Sequence, residues 1–150
     1  MYKIFAWTAV ILWMTLIFYL SHQPATVSSE LSEGITEVIL TTVEKVVPHV
    51  NFDLGTFNHL VRKNAHFFAY MILGMLTLNA LRRSGVVGYR SMGWTLFICI
   101  LYAISDEVHQ LFVPGRSGEV RDVLIDTAGA IVGIGMYWLV AKLMRRRSTR

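Results

Sequence analysis

VLIDTAGAIVGIGMYWLVA, residues 123–141, decides the fold: its 19 residues carry a single charge, Asp126. At about 1.5 Å of rise per residue, a helix of this length nearly crosses a hydrocarbon layer of roughly 30 Å. Lys142, Arg145, Arg146 and Arg147 follow it and stop the apolar run. Three similar blocks lie upstream. Residues 4–20, IFAWTAVILWMTLIFYL, hold no charge; residues 64–81 end at Arg82 and Arg83; residues 92–112 carry Asp106, Glu107 and His109 near their far end. None shows the alternation of a barrel strand, and an open sheet would leave backbone groups unpaired in lipid. The reading is all-α: an integral membrane bundle of four transmembrane helices, forming a single domain over residues 1–150.

Composition agrees. The 150 residues are 54% hydrophobic and 16% charged, against about 25% charged in soluble domains, so disorder and an ordinary soluble domain are both disfavoured. One cysteine, Cys99, excludes a disulfide scaffold. The first block follows Lys3 as a signal peptide would. It is longer than a usual signal core and no Ala-x-Ala site follows, so a retained helix is expected.

The net charge of +4 reads as an orientation signal rather than as nucleic-acid affinity, because no folded basic surface or aromatic platform accompanies it. With both termini cytoplasmic, the inside holds Lys3, Arg82, Arg83, Arg90, Lys142, Arg145, Arg146, Arg147 and Arg150, nine of the 14 bases. The long segment after the first block then lies outside. Within residues 28–47, Ile35, Val38, Ile39, Val43 and Val46 recur at helical spacing, which predicts an extracytoplasmic amphipathic helix ended by Pro48. Gly129 and Gly133 form a GxxxG expected to serve packing within the bundle.

This topology gathers the polar residues at one end. The second helix brings Arg62, Lys63, His66 and Tyr70 to the outer side, with Arg62, His66 and Tyr70 on one face. The third brings Asp106, His109 and Gln110 on a shared face, with Glu107 about 100° away from Asp106. Arg116, Glu119 and Arg121 lie in the following loop, and the fourth helix starts with Asp122 and Asp126. Charged groups at that depth should face one another or water, which predicts a polar cleft.

Three segments resemble the VanZ-like family. RKNAHFFAY, residues 62–70, is similar to the start of its second helix. YAISDEVHQLFVPGRSGEVRDVLIDTAGAIVG, residues 102–133, is similar to its central signature, with D-E-x-H-Q, P-G-R and D-x-x-x-D-x-x-G in order. SHQ, residues 21–23, resembles the end of the family's first helix, although His22 stands where serine is common. The founding member is an accessory protein of glycopeptide resistance, so the resemblance implies a cell-envelope role with a link to teicoplanin. It also implies, by position, functional weight at Arg62, Lys63, His66, Tyr70, Asp106, Glu107, His109, Gln110, Arg116, Asp122 and Asp126.

Several jobs fit such a cleft. In an enzyme, His66 or His109 would be the base or nucleophile and Asp106 or Asp122 would orient it. Arg62, Arg116 and Arg121 would hold an anionic membrane-lipid or lipid-linked cell-wall precursor head group. Lys63, Tyr70, Glu107, Gln110 and Asp126 complete the expected lining. A divalent metal is left open; Asp106, His109, Asp122 and Asp126 offer mixed donors that suit Zn or Mn better than Ca. Binding without chemistry, or a purely structural cluster, are the alternatives. Four helices without a repeat leave little room for a transporter. The oligomeric state is not legible.

Overall fold

The computed structural model describes residues 2–28, 30, 33, 34 and 54–148. Four long helices, α1 (Tyr2–Ser21), α2 (Leu54–Arg83), α3 (Tyr89–Gln110) and α4 (Val120–Ser148), make up the bundle, and no strand occurs among the described residues. Each contains a stretch long and apolar enough to cross a membrane: Tyr2–Ser21, Leu60–Arg83, Tyr89–Gln110 and Val120–Met144. The amphipathic segment expected over residues 28–47 falls outside the described residues apart from positions 28, 30, 33 and 34, and His49 lies outside them too.

Helix ends follow local chemistry. α2 closes in a Schellman motif: the Val86 N–H reaches the Leu81 carbonyl at 3.0 Å and the Gly85 N–H the Arg82 carbonyl at 3.1 Å, with Gly85 at φ 95°. α3 stops at Gln110 because successive turns follow, the Val113 N–H bonding the Gln110 carbonyl at 3.0 Å. α4 begins two residues before its acidic first-turn residue, Asp122, which suits the positive end of a helix dipole.

The distribution of side chains is that of a protein solvated by lipid. Phe5, Leu12, Phe97, Leu124 and Met136 are exposed around the bundle, while Ser91, Thr95, Asp106 and Asp126 are buried in it. The exposed apolar belt needs no water, and the buried hydroxyls of Ser91 and Thr95 bond to backbone carbonyls, those of Gly88 and Ser91, at 2.7 Å each. Trp13 donates its indole N–H to the Ala69 carbonyl at 2.9 Å, and the Tyr102 hydroxyl donates to the Met14 carbonyl at 2.5 Å, tying α1 to α2 and α3.

α2 and α4 run parallel in close contact, and glycine sets their register. A Cβ on Gly129 would collide with the Phe67 carbonyl, one on Gly133 with the Met71 carbonyl, and one on Gly74 would lie 2.7 Å from the Ala130 carbonyl oxygen. The GxxxG thus serves packing inside the bundle. The same register lays Asp126, one turn before Gly129, against His66, the neighbour of Phe67.

Candidate functional site

At the end where α2 and α4 start and α3 finishes, a pocket of about 60 Å³ opens. Its lining includes Arg62, Lys63 and His66 from α2, Gln110 from α3, Arg116 and Glu119 from the loop, and Asp122 and Asp126 from α4. That space holds several waters or one compact anion.

The loop is held down by the carboxylate of Glu107, which is only 5% exposed. Glu107 Oε2 accepts the Glu119 N–H at 2.8 Å, and Gln110 Nε2 donates to Glu107 Oε1 at 3.3 Å. Gly118 permits the approach, since a Cβ there would lie 2.7 Å from the Glu107 carbonyl oxygen. Glu107 therefore turns toward the returning loop rather than away from the cluster. Lys63 closes one wall through ion pairs to Asp122 at 2.8 Å and Glu119 at 3.4 Å.

His66 and Asp126 form the floor, and Asp106 stands beside them outside the lining. Each offers a donor atom, and these atoms lie within 4.8 Å of one another. Asp106 Oδ2 accepts from Ser21 Oγ at 2.8 Å and from Gln110 Nε2 at 3.3 Å, so the end of α1 joins the site. His66 Nδ1 stands 3.7 Å from Asp126 Oδ2. Neither oxygen of Asp126 has a hydrogen-bond partner, and Oδ1 of Asp106 has none either. Tyr70 is fully buried and its hydroxyl also lacks a partner.

The rim is cationic. Arg116 donates from Nε to the Gln23 carbonyl at 3.0 Å, from Nη1 to Gln110 Oε1 at 3.4 Å and from Nη2 to the Leu20 carbonyl at 3.3 Å. All three acceptors are neutral. Burial presses the pKa of Arg116 down and the nearby Arg62 adds to that, while Asp106 and Glu107 oppose it. Arg62 and Arg116 have no ion-pair partner among the described residues.

Tyr70, Asp106 and Glu107 are buried next to the pocket and do not line it, and two further expected site residues lie elsewhere. His109 leaves the face of Asp106 and turns to α1, where its Nε2 meets His22 Nδ1 at 3.0 Å and its ring packs 4.3 Å from that of Phe18. Arg121 is exposed and does not line the pocket. Ser21 and Glu119 enter in their place. The sequence signals Ser21 by its position at the end of the first apolar block and by the resemblance of residues 21–23, and Glu119 by the turn sequence around it.

Four apolar helices bearing a shared polar pocket at one end define a multi-pass membrane protein. A profile of the VanZ/LLP1 family matches residues 6–141, nearly the whole chain, and the chain belongs to that family. No curated protein and no solved structure matches it.

Proposed function

We propose that the pocket binds the phosphate-bearing head group of an anionic lipid or a lipid-linked cell-envelope precursor, at the extracytoplasmic face of the membrane. The observation that carries this reading is the pair Arg62 and Arg116, two guanidinium groups on one pocket with no carboxylate paired to either among the described residues. Guanidinium matches phosphate in a bidentate geometry, and partial burial strengthens the attraction. The extracytoplasmic side is the one the positive-inside rule favours, with nine of the 14 Lys and Arg residues toward the other end. At that other end Arg82 stacks over Tyr137 and Lys142 over Trp138, anchoring of the kind found at either membrane interface. The cofactor in this reading is a divalent cation, Zn or Mn, on the floor of the pocket. A bearing on teicoplanin resistance follows if the head group retained is that of a wall precursor.

Arg116→Ala is expected to weaken binding of phosphatidic acid in nanodiscs by roughly 10–100-fold, the loss of a charge-assisted bond to phosphate. Arg62→Ala should do the same without disturbing the carbonyls that Arg116 holds. Lys142→Ala, at the opposite end, should leave affinity unchanged. Equal affinity in all three variants would falsify the anion-binding reading. A second reading, hydrolysis or transfer at the bound head group, is favoured by the His66–Asp126 contact at 3.7 Å. Mass spectrometry of the bound lipid after long incubation separates the two readings: unchanged lipid leaves binding alone.

A further inference from the structure

The pocket has two poles that do not neutralise each other. At the rim stand Arg62 and Arg116, without acidic partners among the described residues. At the floor, Asp126 is 0% exposed and the adjacent Asp106 2%, and three of their four oxygens accept no hydrogen bond. A carboxylate kept from water without partners is costly, so such oxygens are expected to meet a cation or a proton. Lys63 does not supply the charge, being engaged by Asp122 at 2.8 Å and Glu119 at 3.4 Å. Burial also decides the size of the cation. Side chains this enclosed admit a bare ion more readily than the ammonium of a head group.

We infer that His66, Asp106 and Asp126 bind a divalent cation, and that this cation must be in place before the pocket accepts a phosphate. The donor set is one imidazole nitrogen and two carboxylates, with the donor atoms within 4.8 Å of one another. Three protein ligands with further positions open to an exogenous group are the pattern of reactive Zn sites, and the oxygen-rich balance also suits Mn. Ser21 and Gln110 hold Oδ2 of Asp106, which leaves Oδ1 as the free donor, the kind of outer support that ligating carboxylates receive. The requirement for the cation follows from sign. Without it, an entering phosphate is drawn by two arginines and repelled by two buried carboxylates beneath them, in a medium that screens poorly. With it, the charge of the two carboxylates is cancelled, and the phosphate is held between the open side of the metal and Arg62 and Arg116. This second half rests on the head-group reading; the metal site does not.

The test uses the full chain purified in detergent and stripped with chelator. Titration with Zn²⁺ or Mn²⁺ alone, read by calorimetry and, for Mn²⁺, by electron paramagnetic resonance, should show one ion per chain. Asp126→Asn and His66→Gln, on different helices, should each weaken it about 100-fold or more. His109→Ala should bind the ion as the parent does. A monodisperse elution profile and an unshifted metal-free Tm establish that each variant is folded. Inorganic phosphate, nanodiscs containing phosphatidic acid and nanodiscs of phosphatidylethanolamine are then presented with and without the ion. Phosphate chemistry should bind only in its presence, and comparison of the first two arms tells a free anion from a lipid head group. No ion bound by the folded parent, or an ion bound by Asp126→Asn and His66→Gln as tightly as by the parent, overturns the metal site. Phosphatidic acid or phosphatidylethanolamine bound as tightly after chelation overturns the requirement and leaves the head-group reading standing. An ion bound with no phosphate in any arm overturns the head-group reading and, with it, the requirement.

Discussion

Gly133→Ala is expected to lower the Tm of the bundle, whereas Gly135→Ala, two residues further along the same helix, should raise it. The substitution is identical and the intrinsic gain in helix propensity is the same, about 0.5–1 kcal/mol. The surroundings differ. A Cβ at Gly133 would run into the backbone of Met71, whereas one at Gly135 meets nothing within 4 Å. Backbone cannot step aside as a flexible side chain can, so α2 and α4 would have to separate, at roughly 1–3 kcal/mol for overpacking. Separation also loosens the register that brings Asp126 to His66, so anion binding should weaken along with stability. Thermal unfolding in detergent, followed by circular dichroism, checks the contrast. Shifts of the same sign at both positions would sink the close packing of α2 on α4.

Lys63→Met should be the most damaging single change among the polar residues of the pocket wall. It strands Asp122 and Glu119, which Lys63 holds at 2.8 and 3.4 Å. The side chains of Lys63 and Asp122 are 17% and 25% exposed, so water screens the pair only in part. A loss of about 1–3 kcal/mol is expected, between the values for surface and buried pairs. The double variant Lys63→Met with Asp122→Asn should recover part of it, because the orphaned charge is removed with its partner. A thermodynamic cycle over the three variants and the parent reads the coupling directly. Strict additivity would mean that the contact contributes nothing.

Much of this arrangement is legible in the residues. Charge confined to the ends of apolar blocks leaves few topologies, and helical spacing alone relates Arg62 to His66 and Asp106 to Gln110. What spacing does not say is which neighbour each face meets. His109 lies three residues from Asp106 and could share its face, but α1 packs beside that turn and draws His109 to His22 and Phe18. Glu107 lies about 100° round the helix from Asp106 and is expected in the lining, yet the loop through Gly118 folds back and takes up its carboxylate with the Glu119 N–H. Both outcomes depend on packing between elements distant in sequence, and no local pattern encodes it. The metal-ligand set changes for the same reason. Asp122 is taken by Lys63 and His109 by His22, which leaves His66 with Asp106 and Asp126.

Head-group binding as proposed requires the charged turns of α2, α3 and α4 to share one pocket that opens to the outside of the cell. Single-cysteine labelling tests this most directly, because the native Cys99 is fully buried and adds no background. Ser117→Cys lines the pocket, and Val87→Cys sits 72% exposed in the loop at the opposite end. A membrane-impermeant maleimide applied to intact cells should label Ser117→Cys and spare Val87→Cys until the membrane is opened. Labelling of Val87→Cys from outside, with Ser117→Cys protected until lysis, would contradict it.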